Sequence, residues 1–277
     1  MSPTKETNQG EQSPPKLRFD PFGRDDDTIL QAAPFFEWLL GSYFSLKVTG
    51  VENIPKEGRA ILVANHAGAL PWDALVLLAG LQQLPEHKRS IRPLLEDAVM
   101  TAPFLGQWMA RLGCVRASQD NASHLLQDEQ MVTVFPEGML GLSKTYRKKY
   151  QLVRFGRAGF VRLAIRTKAP LVPVTILGAE DSAPLLTKVN MLFQNTAATY
   201  LPITPTFPLL GPFGLLPLPA KWHIHFGEPL RPHAKKITLS DDLAINDVAD
   251  SIRKGIQEKL DTLVDQRPHR YNFLKGL

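Results

Sequence analysis

Ala60-Ile-Leu-Val-Ala-Asn-His66-Ala-Gly-Ala-Leu-Pro-Trp-Asp73 is the stretch whose reading decides the fold. Its first five residues form an unbroken apolar run, the pattern of a strand buried on both faces of a sheet. Asn65 and His66 follow at once, so the imidazole stands at a strand's end, the edge where open α/β sheets place their ligands. Gly68 and Pro71 argue for a loop, and proline is tolerated at a first helical position, so Pro71 opens a helix reaching about Leu81. A histidine oriented by a carboxylate can take a proton from a hydroxyl. Were residues 66–73 all helical, His66 and Asp73 would stand about two turns, roughly 10 Å, apart. A loop that folds back is needed for them to meet. The plainer reading of Asp73 is an early-helix carboxylate favoured by the macrodipole.

Strand and helix patterns alternate outward from this stretch. Leu46–Gly50, Ile91–Leu95, a short piece at Val115, Met131–Phe135, Leu171–Leu177 and Trp222–Phe226 read as strands. Pro103–Leu112, Asn121–Gln127, Gly156–Thr167 and Ala244–Val264 read as helices, and Asp27–Phe44 as an amphipathic one too short to span a membrane. The alternation predicts an α/β fold: a mainly parallel or mixed central sheet flanked by helices, with an N-terminal amphipathic helix. Residues 1–27, polar and without an apolar run, are expected to be a disordered tail, and residues 28–277 a single domain.

The net charge is +5, unevenly placed. Between Gly138 and Ala179 there is no Asp or Glu, while Lys144, Arg147, Lys148, Lys149, Arg154, Arg157, Arg162, Arg166 and Lys168 all fall there. Such a run suits phosphate on an anionic lipid or a nucleotide-containing donor, or it is a solvated helix face; no nucleic-acid motif accompanies it, so nucleic acid is not expected as a partner. The single cysteine, Cys114, excludes an internal disulfide and a multi-cysteine zinc site, and reads as a small buried hydrophobe. Val189–Ala220 carries no charge and is rich in Leu, Phe and Pro; its prolines forbid a spanning helix, which leaves structural cover or lipid contact. His223 and His225 share a strand face, yet no third metal ligand lies near in sequence, so no metal is expected. Gly141-Leu-Ser143 lacks the second glycine of a nucleophile elbow, which counts against a serine hydrolase.

Phe135-Pro136-Glu137-Gly138 adds a carboxylate in a tight turn at the end of a second strand, on the edge that carries His66. Asn65-His66 with a downstream Asp73, this Phe-Pro-Glu-Gly and Val172-Pro173-Val174, in that order, resemble the glycerophospholipid acyltransferase (PlsC-like) superfamily. The resemblance runs from about Val48 to Pro229, and the strings Tyr150–Arg157 and Phe207–Pro212 look like one bacterial subgroup. It implies transfer of a fatty acyl group from acyl-CoA or acyl-ACP, as co-substrate and without a cofactor, to the hydroxyl of a lysophospholipid. His66 would then be the general base and Asp73 its orienting acid, with Asn65, Phe135, Pro136, Glu137 and Gly138 around the substrate and Glu137 associated with the acceptor.

Three departures bear on that expectation. The acid falls two residues later than the family spacing, which places Pro71 where an aspartate is usual. Gln119 stands where a phosphate-binding arginine is usual, and Arg116 is the nearby substitute. Met139 replaces a common Ser or Thr. The missing arginine keeps a neutral glycerolipid acceptor open beside the lysophospholipid, and a thioesterase of the same fold is the remaining alternative. An enzyme of this kind is expected to bind membrane lipids peripherally, at the cytoplasmic face.

Overall fold

The computed structural model describes residues 19–84, 89–156, 158–190, 200–235 and 237–267. The strands are β1 (Lys47–Thr49), β2 (Ala60–Ala64), β3 (Ile91–Leu95), β4 (Val115–Arg116), β5 (Met131–Val134), β6 (Leu171–Leu177), β7 (Thr187–Asn190), β8 (Tyr200–Ile203) and β9 (His223–Phe226). Seven of them form one sheet in the order β1-β9-β6-β2-β5-β3-β4. β2, β3, β4, β5 and β6 run parallel, and β9 pairs antiparallel with β6, so β1 and β9 run against the rest. β7 and β8 make a separate antiparallel hairpin.

Every residue of β2 is buried, as an unbroken apolar run at the centre of a sheet requires. The period-2 pleat sends Ala60, Leu62 and Ala64 to one layer and Ile61 and Val63 to the other. The first layer is closed by α1 (Asp26–Trp38) and α2 (Trp72–Gln82). The second is closed by α5 (Gln119–Gln127), α7 (Gly159–Thr167) and the long α9 (Asp242–Asp265), whose Ile245, Ala249, Ile252 and Ile256 lie along one stripe. Short helices α3 (Asp97–Met100), α4 (Leu105–Leu112), α6 (Met139–Leu142) and α8 (Ala179–Ser182) fill the strand ends.

The amino-terminal expectation needs correction. Met1–Arg18 fall outside the described residues, but order begins well before residue 28. The Asp20 carboxylate accepts the N–H groups of Phe22 and Arg24 and pairs with the guanidinium of Arg92, itself buried in β3. Asp25, buried, caps α1 through the N–H of Asp27. A buried arginine needs a counter-charge, and the presumed tail supplies it. The helix expected over Asp27–Phe44 also divides, into α1 and a π-helical turn at Leu39–Tyr43.

Candidate active site

β2 and β5 end side by side, and their ends carry the chemistry. The amide of Asn65 is spent on the backbone: its Oδ1 accepts the N–H of Ile176 at 2.7 Å and its Nδ2 donates to the Ile176 carbonyl at 2.9 Å. Asn65 is buried and pins the end of β2 to β6. The chain then leaves the sheet and folds back through Gly68 (φ 90°), where a Cβ would meet the Ala179 carbonyl oxygen at 2.8 Å. That return brings Asp73, at the start of α2, to His66, with Oδ2 2.6 Å from Nδ1. Asp73 Oδ2 also accepts the N–H of Ala67, at 3.0 Å, and Oδ1 that of Ala74, at 2.8 Å. A buried carboxylate with three N–H donors is held in one orientation, and it fixes the proton of His66 on Nδ1. Nε2 is left as the basic nitrogen.

Phe135 lies against the imidazole, ring centroids 4.4 Å apart, and restricts its rotation. Glu137 was expected at the acceptor; its geometry gives it another task. It is buried, its Oε1 accepts the backbone N–H of His66 at 2.9 Å, and its Oε2 accepts that of Val153 at 2.7 Å. Glu137 holds His66 by its main chain and is not among the residues that line the cavity beside His66. Behind it lies Lys144, whose Nζ is 3.4 Å from Glu137 and 3.4 Å from Glu180. Gly141 completes the contact, because a Cβ there would stand 2.6 Å from the His66 carbonyl oxygen.

His66 lines a cavity of about 390 Å³. Leu94, Leu95, Val99, Ala122, Val134, Leu142, Phe160 and Leu163 make its wall predominantly apolar, and Phe135, Pro136, Gly138, Gly156 and Ala158 lie along it. Glu96 and Gln119 are among its few polar residues; Glu96 Oε1 accepts the N–H of Met139 at 2.8 Å. Arg116, expected to take over phosphate binding, does not reach it. Its guanidinium is exposed and engaged with both oxygens of Asp97.

The basic run does not form one patch either. Lys144 is buried, Arg162 pairs with Asp242, and the Nζ of Lys149 lies 4.2 Å over the Tyr146 ring, while Arg147, Lys148, Arg154, Arg166 and Lys168 are the exposed members. Arg157 lies outside the described residues. Cys114 is buried, and burial pushes its thiol up to about 12, so it stays protonated. His223 and His225 both bond the Thr49 hydroxyl, at 2.9 and 3.0 Å, and among the described residues no third ligating side chain joins them.

Several large apolar side chains are exposed on neighbouring elements. Leu30, Phe35 and Trp38 lie on α1, Phe104, Leu105 and Trp108 on and beside α4, and Leu209, Leu210, Phe213 and Leu216 on the prolyl segment. Phe36 stacks on Trp108, Trp38 touches Tyr43, and the Tyr43 hydroxyl donates to the Pro217 carbonyl, so the three elements adjoin. Residues 191–199 of the charge-free segment lie outside the described residues. No helix among the described residues is long and apolar enough to cross a membrane.

Residues 45–177 match the Acyltransferase family, a span that holds the paired His66 and Asp73, Glu137 and the cavity. The fold is similar to the crystal structure of the 1-acyl-sn-glycerophosphate (LPA) acyltransferase PlsC from Thermotoga maritima, with a TM-score of 0.55 over 87% of this chain and 81% of that one, at 18% identity. The chain is an acyltransferase with the PlsC-like fold. This acyltransferase is also 41% identical over 259 residues to an uncharacterized protein of Mycobacterium tuberculosis, covering 93% of this chain and 71% of the relative. It is 23% identical to a Bos taurus protein named DGAT1/2-independent enzyme synthesizing storage lipids, over 78% of this chain and 59% of the relative.

What the sequence did not reveal is the support behind the base: Lys144, Glu180 and Gly141. A lysine in a basic run looks like surface, and a glycine in a four-residue helix looks like a turn. Only the return of the chain onto His66 gives either of them a task.

Proposed function

We propose that this enzyme moves a fatty acyl group from a thioester of coenzyme A or acyl carrier protein to the hydroxyl of an uncharged glycerolipid, of the mono- or diacylglycerol type. His66 Nε2 takes the hydroxyl proton as the oxygen attacks the thioester carbonyl. The tetrahedral intermediate collapses with loss of the thiolate, and the imidazolium returns the proton to that sulfur. Asp73 stabilises the imidazolium and keeps its Nδ1–H in place. No covalent intermediate on the protein is formed. The observation that carries the choice of acceptor is the cavity beside His66: among the described lining residues there is no lysine or arginine, and Glu96 is an acid that disfavours a phosphate. The likeness to a bovine protein named for storage-lipid synthesis supports the same reading. The exposed apolar side chains of α1, α4 and the prolyl segment support peripheral contact with a membrane, proposed at its cytoplasmic face, from which such an acceptor would come.

A lysophospholipid of the 1-acyl-glycerol-3-phosphate type is the second reading. It is favoured by exposed Arg154, two residues from the cavity-lining Gly156. Labelled acyl-CoA and acyl-ACP offered with monoacylglycerol, diacylglycerol and a panel of lysophospholipids separate the two. The expected product is a neutral ester, with kcat/KM about tenfold or more above that for the phosphorylated acceptor, and Glu96→Gln should narrow the gap. A preference for lysophosphatidic acid, lost in Arg154→Ala, would overturn the assignment. Release of free fatty acid alone would make the protein a thioesterase.

A further inference from the structure

We propose that Lys144 is a positioning residue for acyl transfer: through Glu137 its ammonium locks the main chain of His66 to the segment Tyr150–Gly156 that ends on the cavity wall. This rests on the reading of His66 as the base.

Lys144 cannot serve a phosphate or a membrane, because only 4% of its side chain is exposed. It lies between two buried carboxylates, with Nζ 3.4 Å from Glu137 Oε2 and 3.4 Å from Glu180 Oε1, and it donates to the carbonyl of Gln151 at 3.0 Å. The carboxylates reach the same segment. Glu180 Oε2 accepts the N–H of Tyr150 at 2.8 Å, and Glu137 Oε2 that of Val153 at 2.7 Å. Three backbone groups between residues 150 and 153 thus converge on one ammonium and its two acids. The fourth arm of the cluster, Glu137 Oε1, holds the N–H of His66 at 2.9 Å. The segment continues to Gly156, which lines the cavity and whose N–H is bonded to the Pro136 carbonyl. One buried cation therefore sits where the base and the wall of its substrate cavity are joined.

Stability does not explain the arrangement. Buried ion pairs are often matched or exceeded in stability by apolar residues of similar volume, because desolvation offsets the attraction. What an ammonium between two acids does supply is fixed direction: it faces Glu137, whose two oxygens each accept a backbone N–H, and it orders the carbonyl of Gln151. Burial pushes the Glu180 carboxyl up, and the facing ammonium of Lys144 opposes that rise.

The test is a kinetic cycle on the full chain with Lys144→Met, Glu137→Gln and the double variant, each first shown folded by circular dichroism and its melting temperature. Lys144→Met is expected to lower kcat about 10- to 100-fold, with KM for the acyl donor changed less than about threefold. In the Glu137→Gln background the same change should cost less than about threefold, because the path through Glu137 is already broken. If Lys144→Met does not fold, Lys144→Met with Glu180→Gln removes one charge of each sign from the cluster and should fold, still with lowered kcat. A folded Lys144→Met, or that double variant, within about twofold of wild-type kcat would overturn the proposal, as would losses that multiply in the cycle. His66→Ala serves as a separate control. Turnover surviving there would remove His66 as base, whatever Lys144 does.

Discussion

Replacing Gly141 by alanine is the smallest change that should disable this site. The added Cβ would stand 2.6 Å from the His66 carbonyl oxygen and 2.9 Å from both the His66 Cβ and the Glu137 Cβ. Ordinary contact begins near 3.4 Å, so the closest neighbour must give by about 0.8 Å. It has little room to do so, since His66 is held at its N–H by Glu137, at its ring by Asp73 and over its face by Phe135. Overpacking of this kind costs about 1–3 kcal/mol, whereas alanine gains at most about 1 kcal/mol in helix propensity, and less in a helix as short as α6. The clash wins. The melting temperature should fall by about 2–12 °C, at roughly 2–4 °C per kcal/mol for a domain of this size. Catalysis should suffer more, because misplacing a catalytic group by about 1 Å costs on the order of 10²-fold. Calorimetry and initial rates of ester formation on the same preparation give both numbers. Gly141→Ala with more than about half of wild-type kcat would refute the claim that this glycine sets the position of the base.

Three further outcomes follow from the geometry. Asp73→Asn keeps an acceptor for the N–H of Ala74 but loses the charge beside Nδ1, so kcat should drop about 10²–10⁴-fold with donor KM nearly unchanged in steady-state kinetics. His223 has its pKa lowered to about 4, first by burial and then by the charge of Lys47. Its proton therefore binds the unfolded chain more tightly than the fold, so stability present above about pH 6.5 should decline as pH falls towards 4. His223→Gln should flatten that slope in urea titrations across the window, and an unchanged slope would assign the acid sensitivity elsewhere. On vesicles, Trp38→Ala with Phe213→Ala should weaken sedimentation with both anionic and neutral lipid, whereas replacing Arg147 and Lys148 by glutamine should weaken only the anionic case and only at low salt. Binding that ignores all four substitutions would remove this face from the membrane.

Legibility in the sequence followed burial. β2, β3 and β6 were readable to the residue because strands covered on both faces are mostly apolar, without a break in β2 and with Arg92 as the one charge in β3. The mixed character of the sheet was only half readable. Nothing local marks β9 as lying antiparallel to β6, since pairing partners are chosen by distant chain. The π-helical turn after Trp38 left no mark in the apolar periodicity of Asp27–Phe44. In the site, His66 and Asp73 could be paired from Gly68 and Pro71, which make the intervening residues a loop. Asn65 and Glu137 could be located but not given their tasks, because a side chain turned to the backbone and one turned to a ligand look alike in sequence. The partner of Arg116 was not legible: Asp97 lies nineteen residues earlier, and only the pairing of β3 with β4 brings them together.

The carboxylate of Asp73 has two employers. One oxygen serves the N–H of Ala74 in the first turn of α2, and the other serves both the catalytic ring and the N–H of Ala67 in the returning loop. α2 is itself buried through most of its length against the sheet. The acid is thus a hinge pin of the architecture as well as the partner of the imidazole, whereas among the described residues the imidazole makes no side-chain hydrogen bond besides the one to Asp73. For a descendant that abandoned acyl transfer, the histidine would be free to drift while the aspartate stayed for the sake of the helix. A retained acid at this place is thus a poor witness to activity among such proteins, and the histidine a good one.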